Sequence, residues 1–197
     1  MSGRPLRWKD CDLAEIQAVD VGWGFLAQDG SRPFAGQGFR VPTFAEALAA
    51  FPTTRFNVDL KQAAPSMVPA MLALVRAHRA EERVTLASFR LRTLIDVRKV
   101  GYGGETALSQ PEVAALLALP ERVFQQLPLV GSAAQLPVAF GRIRLDTPRV
   151  IAKCHALGMR VDYWTINDPD EARRLLALGA DGIMSDHPAA VKPAMHG

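Results

Sequence analysis

Apolar and polar residues alternate strictly along Phe56-Asn57-Val58-Asp59-Leu60-Lys61. Side chains alternate across a strand, so Phe56, Val58 and Leu60 face one side while Asn57, Asp59 and Lys61 face the other. Further strands are predicted at 83–88, 123–127 and 160–166 and over the last run, Gly182 to Ser185. Between them the apolar spacing changes to that of helices, near 66–79, near 90–99 and from Gln110 to about Leu119. Local signals mark the helix ends. Thr43 with Glu46, and Ser109 with Glu112, form capping-box patterns. Thr147-Pro148 and Asp168-Pro169 open helices that Gly158 and Gly179 close.

The first forty residues lack this order. Gly22, Gly24, Gly30, Gly36 and Gly38 punctuate scattered aromatics, which predicts a loop-rich insertion over 1–40 ahead of strand and helix repeats over 41–190. Repeated strand–helix alternation with short connections implies a parallel sheet with crossover helices, open or closed into a barrel. No Gly-x-Gly-x-x-Gly follows a strand, which removes the dinucleotide signature of the open fold. Polar residues also cluster where strands end, at Asp59 and Lys61, Ser88, Thr165 and Asn167, and Ser185 and Asp186, the positions at which barrels carry chemistry. The expectation is a single α/β domain over 1–197 of barrel type. With 197 residues against the roughly 250 of a typical barrel, it is an incomplete one.

Composition narrows the function. Twenty-three basic and twenty acidic residues give a net charge of +3, without a run of like charges, so no nucleic-acid partner is expected. Cys11 and Cys154 stand apart without metal-ligand spacing, as suits a reducing compartment. No apolar stretch approaches the roughly 18 residues of a membrane span, and the N-terminus has no apolar leader. The expectation is a soluble, cytoplasmic chain.

Asp59 and Lys61 are the foremost candidates for chemistry. The chain uses five lysines against eighteen arginines, so a lysine here is a choice: its compact ammonium approaches a phosphoryl oxygen as a point charge. A neighbouring carboxylate suits an oxygen-ligated divalent cation; the plain alternative is an ion pair at a strand end. Trp164, in Val161-Asp162-Tyr163-Trp164-Thr165-Ile166-Asn167, is either core or the wall of a ligand site. Ser88 and Phe89 either line a mouth or, for Ser88, cap the next helix. None of the four histidines has a partner at metal-ligand spacing, and no acid/base histidine stands out.

Phe56–Lys61, Leu86-Ala87-Ser88-Phe89, Val161–Asp168 and Leu178-Gly179-Ala180-Asp181-Gly182-Ile183-Met184-Ser185-Asp186-His187-Pro188 resemble, in order, the later motifs of the glycerophosphodiester phosphodiesterase family. The helix start Arg40 to Leu48 resembles the element before that family's third strand. The resemblance implies a (β/α)8 barrel that hydrolyses small-molecule glycerophosphodiesters to glycerol 3-phosphate and an alcohol, with one divalent cation, magnesium or calcium. By the same resemblance Asp59 takes the place of a metal-binding acid and Lys61 of the phosphate-facing lysine. Trp164 then walls the glycerol side, with Ser88, Phe89 and Gln126 as further lining.

The chain departs from the family pattern at its start. The family's His-Arg-Gly, Glu-x-Asp and His-Asp motifs do not occur, and His78-Arg79-Ala80 and Asp186-His187 are false echoes of them. The expectation is a barrel lacking its first two strands, with impaired hydrolysis and a cation bound weakly or not at all. Two other functions fit the same residues: a catalytically silent phosphate- or glycerol-binding barrel fragment, and an aldolase-like barrel with Lys61 as Schiff-base lysine. Headgroup, preferred cation and oligomeric state stay open.

Overall fold

The β-prone runs that begin at Phe56, Val84, Arg160 and Gly182 form strands that pair in parallel, and the pairing carries the architecture. The computed structural model describes residues 7–27, 29–128 and 130–196, which fall into two compact units divided between Thr54 and Arg55.

In the unit up to Thr54, short pieces are held by caps rather than by a large core. Helix α1 (Leu13–Gln17) begins with an Asp12–Glu15 capping box. Asp20 gathers the loop that follows, accepting from the backbone N–H of Gly22 at 3.0 Å and of Gly36 at 2.7 Å. Phe34 packs edge-on against both Phe25 and Phe39. Helix α2 (Phe44–Ala50) starts at the predicted box, with the Glu46 carboxylate accepting from the Thr43 N–H at 2.7 Å.

The unit from Arg55 is a curled parallel sheet with helices between its strands. Strand β1 (Phe56–Asp59) pairs with β2 (Val84–Ala87), from Phe56 opposite Val84 to Asp59 opposite Ala87. Single bridges join Leu86 to Thr106 and Ala107 to Ala133, so residues 106–107 act as a minimal strand between β2 and β3 (Ala133–Pro137). After β3 comes a hairpin of β4 (Ala139–Phe140) and β5 (Ile143–Arg144), whose turn uses Gly141 at φ +59°. Beyond it, β6 (Arg160–Trp164) pairs with β3 on one side and with β7 (Gly182–Ile183) on the other.

Helices α3 (Val68–Ala77), α4 (Leu91–Lys99), α5 (Gln110–Ala118), α6 (Glu121–Phe124), α7 (Pro148–Ala156), α8 (Pro169–Ala177) and α9 (Pro188–Val191) fill the connections. Proline in the first turn of α5, α7 and α8 costs no hydrogen bond. Gly158 and Gly179, at φ +70° and +104°, close α7 and α8 as expected. Leu136, Val161, Tyr163, Ile151, Leu175 and Phe124 are among the buried residues of the core.

The sheet curls but does not close among the described residues. Asn57 on β1 and Gln135 on β3 exchange amide hydrogen bonds of 3.3 and 3.0 Å, although two strand positions lie between them. Side chains so placed meet only across the inside of a curved sheet. The architecture is an incomplete (β/α) barrel with six parallel positions, where a closed one has eight. No helix among the described residues is long and apolar enough to cross a membrane.

The predicted strand at 123–127 is incorrect. Pro120 caps a helix instead, and α6 carries Phe124 into the core as a buried plug. A run of five residues with two aliphatic and one aromatic side chain has no periodicity long enough to separate strand from helix. The strand lies ten residues later, at Ala133–Pro137, where two alanines and a proline hid it.

Candidate active site

The site begins where β1 and β2 end side by side. The Leu60 N–H donates to the Ala87 carbonyl at 2.7 Å, and Leu60 is fully buried, which holds Asp59 and Lys61 at the strand's carboxyl end. Ser88 locks this pair of strand ends: its hydroxyl donates to the Leu60 carbonyl at 2.9 Å and accepts from the Arg90 N–H at 3.3 Å. Ser88 is buried and its hydroxyl is engaged with backbone, so it supports the site from beneath.

The Lys61 ammonium donates to Asp59 Oδ2 at 2.7 Å. The lysine side chain is 78% exposed and the aspartate 30%, so this pair lies open to solvent at one end. The other carboxylate oxygen differs: Asp59 Oδ1 is buried and has no hydrogen-bond partner among the described residues. A buried acceptor left so costs on the order of 1–3 kcal/mol. Such an atom at a strand end is an acceptor position open to a donor.

From the pair the mouth continues over aromatics. Lys61 Nζ lies 5.8 Å from the centre of the Phe89 ring, and Phe89 meets Trp164 edge to face at 6.0 Å. Trp164 ends β6 while its neighbour Tyr163 points into the core, with its hydroxyl donating to the Leu145 carbonyl at 2.9 Å. Burial pushes the Tyr163 phenol far above its ordinary range, which fits a structural role. The structure therefore brings together Asp59, Lys61, Phe89 and Trp164, with Ser88 below them.

Gln126 is not in this group. It sits exposed in the turn after α6, before β3 begins, with its N–H bonded to the Val123 carbonyl at 3.1 Å. Gln135 stands there instead, on β3, paired to Asn57, whose amide also donates to Met184 Sδ at 3.8 Å. The signal that would have found Gln135 is alternation along the true strand, which puts it on the face opposite Ala134 and Leu136.

At the carboxyl ends of β6 and β7, Asn167 latches the two loops. Its side-chain oxygen accepts from the Ser185 hydroxyl at 3.0 Å and from the Asp186 N–H at 2.9 Å. His187 precedes α9 and its N–H donates to Ser185 Oγ, while His155 pairs with Asp181 at 2.9 Å. The side chain of His196 lies outside the described residues.

A divalent cation needs several hard oxygen ligands, six for magnesium and six to eight for calcium. Asp59 Oδ1 has the right character for one of them. No group of three His, Cys, Asp or Glu side chains that could hold a metal exists among the described residues. These residues do not fit a cation by themselves; they offer one carboxylate position.

Comparison with known proteins accords with this geometry. The sequence model of the glycerophosphoryl diester phosphodiesterase family matches residues 1–190. A Mycobacterium tuberculosis relative, named a probable glycerophosphodiester phosphodiesterase 2, is 31% identical over 160 residues, covering 77% of this chain and 58% of its own length. A glycerophosphodiester phosphodiesterase from Caldanaerobacter subterraneus is 26% identical over 191 residues, covering 91% of this chain and 69% of itself. A solved phosphodiesterase from Oleispira antarctica, in complex with the product sn-glycerol-3-phosphate, gives a TM-score of 0.72 at 18% identity. That match covers 96% of this chain and 72% of the other, and it speaks to fold alone. The chain thus spans little more than half, 58%, of the length of its mycobacterial relative. With the whole run from residue 1 to 190 matched, the chain belongs to the glycerophosphoryl diester phosphodiesterase family.

Proposed function

We propose that the mouth formed by Asp59, Lys61, Phe89 and Trp164 binds the glycerol phosphate part of a glycerophosphodiester, within a phosphoric diester hydrolase reaction. The observation that carries this reading is the 2.7 Å Lys61–Asp59 pair beside a buried, unpartnered carboxylate oxygen. Lys61 is the phosphate contact: an exposed ammonium, restrained by one carboxylate, offsets the negative charge that grows on the phosphoryl oxygens during attack. Trp164 and Phe89 supply an apolar wall for the glycerol carbons, as the edge-to-face pair leaves both rings partly open. Asp59 Oδ1 is the single carboxylate position that the described mouth offers a divalent cation, which these residues do not hold by themselves.

These residues support binding more fully than turnover. One carboxylate does not make a cation site, and the described mouth has no histidine placed for proton transfer. The chain of 197 residues is expected to bind glycerol 3-phosphate and to hydrolyse glycerophosphocholine slowly. Calorimetric titration with glycerol 3-phosphate, together with choline release from glycerophosphocholine in magnesium or calcium, tests both parts. Heat with glycerol 3-phosphate and slow release is the expected result. Absence of heat contradicts the binding reading, and brisk metal-dependent release contradicts the impairment.

A further inference from the structure

The hairpin between β3 and α7 carries apolar side chains that the core does not use. Phe140 and Ile143 stand directly opposite each other in the β4–β5 register, so they share one face of the hairpin. They are 62% and 59% exposed. The turn that joins them, Gly141-Arg142, projects: nothing among the described residues lies within 4 Å of where a side chain on Gly141 would begin. Leu117 of α5 borders the same groove as Phe140 and Ile143 and is exposed as well. Large apolar side chains grouped in this way mark an interaction surface, whereas scattered single ones do not.

The hairpin is fixed from below. Its base closes where the Leu145 N–H donates to the Val138 carbonyl at 2.9 Å, and Leu145 is buried. The Tyr163 hydroxyl holds the Leu145 carbonyl, and Arg144, paired with Ala139 on the other face, is drawn down to Asp146. A two-stranded ribbon of this length does not keep its shape alone in water. Here the anchored base presents the tip in a set conformation.

Charge identifies the occupant. Arg142 sits in the turn itself, and Arg122 and Arg149 line the groove beside it. All three are exposed and make no ion pair among the described residues. Lys153 adds a further cation, with its ammonium on the Leu119 carbonyl, while the groove lining holds a single acid among the described residues, Glu121. The whole chain carries only +3, so positive charge is concentrated on this face. A small apolar tip ringed by basic side chains has the composition of an anchor on an anionic bilayer. Its ring and aliphatic carbons enter the headgroup boundary while the guanidinium groups stay at the phosphates. A second copy fits less well, because an isologous contact would set these arginines against their counterparts. An acidic protein matches the charge but needs far more contact than two side chains at a turn, since stable interfaces bury roughly 800 Å² on each partner.

We propose that the β4–β5 hairpin is a membrane anchor. Phe140 and Ile143 seat in the headgroup boundary of an anionic phospholipid surface, and Arg142 and Arg149 meet its phosphates. The lipid is a surface here and not a substrate, so this docking does not depend on what the Asp59–Lys61 mouth takes.

The test is co-sedimentation of the 197-residue chain with vesicles of phosphatidylcholine alone and of equal parts phosphatidylcholine and phosphatidylglycerol. Binding to the anionic vesicles at least about tenfold tighter than to the neutral ones is expected. Phe140→Ser with Ile143→Ser removes the apolar tip at exposed positions and should weaken that binding at least about tenfold. Arg142→Gln with Arg149→Gln should weaken it by a similar factor, at least about tenfold, and reduce its dependence on salt. Thermal unfolding should be the same in both variants as in the parent chain. Phe140→Trp reports the position of the tip directly. On anionic vesicles its emission should shift to the blue and be quenched by brominated lipid, beyond any response of the parent chain. No binding to anionic vesicles overturns the proposal, and so does binding that the serine variant leaves unchanged, which is adsorption by charge alone. In the absence of vesicle binding, a dimer that the serine variant abolishes assigns the tip to a second copy. Polyglutamate binding that the glutamine variant abolishes, again without vesicle binding, assigns it to an acidic protein.

Discussion

Asp146 and Asp59 are both carboxylates at the ends of strands, and the molecule treats them in opposite ways. Asp146 follows β5, is 1% exposed and receives two arginines: Arg144 Nε donates to Oδ1 at 2.7 Å, and both Arg144 and Arg174 donate to Oδ2. Arg174 is held in turn by Glu171 at 2.7 Å. Burial opposes ionisation there, but the two guanidinium groups outweigh it and hold the Asp146 carboxyl below its ordinary range. Asp59 has one exposed lysine on one oxygen and, among the described residues, no hydrogen-bond partner on the other. At Asp146 both oxygens are bonded by arginine. At Asp59, at the mouth, one oxygen is left open, as the proposed ligand role requires.

The largest effect that would break this contrast is on stability. Asp146→Asn should cost about 2 kcal/mol, the order of hydrogen bonds to a charged group, because Arg144 and Arg174 lose their shared partner but keep contact with water. Asp59→Asn should change stability by less than about 1 kcal/mol, since the exposed pair contributes little and the orphaned oxygen is a cost. Urea denaturation of the two variants measures both, and equal losses would erase the distinction. The pH dependence sharpens it. The Asp146 carboxyl is depressed in the folded state, so its contribution is complete above the unfolded value of about 3.9 and is lost as pH falls through the folded value. The gap between wild type and Asp146→Asn should therefore persist from neutral pH down to about 4 and close below it.

Binding effects come next. Lys61→Ala should weaken glycerol 3-phosphate at least about tenfold, the order of one lost charge-assisted contact, and Lys61→Arg should recover only part because the planar fork does not reproduce a point charge. Trp164→Ala should weaken it by about fivefold through loss of the apolar wall. Calorimetry on the three variants orders these effects, and a Trp164 effect larger than that of Lys61 would move the weight from charge to stacking. The smallest signal is the cation. With one carboxylate position, magnesium or calcium should bind this chain in the millimolar range or weaker, where only about 4 kcal/mol holds it. Asp59→Asn should remove that heat, and tight binding that survives the substitution would place the cation elsewhere.

The sequence made legible those features that depend on neighbours along the chain. The Thr43–Glu46 box, the alternation from Phe56 to Lys61 and the glycines closing α7 and α8 are local, and they formed as read. Features set by distant partners were hidden. Residues 106–107 make a strand only because β2 and β3 flank them, and a two-residue element has no pattern of its own. The hairpin Ala139–Arg144 interrupts what reads as an irregular stretch, and Phe124 reads as strand until Pro120 caps its helix. At the mouth, Asp59, Lys61, Phe89 and Trp164 could be singled out, whereas Gln135 required the correct strand. That Ser88 spends its hydroxyl on backbone, and that Asp59 Oδ1 has no partner, are facts of side-chain placement that periodicity does not encode.

The most direct measurement is calorimetric titration of glycerol 3-phosphate into the wild-type chain and into Lys61→Ala under the same buffer and salt. Saturable heat with wild type and an affinity at least about tenfold weaker in the variant is the predicted result. No heat with wild type, or identical affinities for the two proteins, would contradict the assignment of the Asp59–Lys61 strand end as the phosphate site.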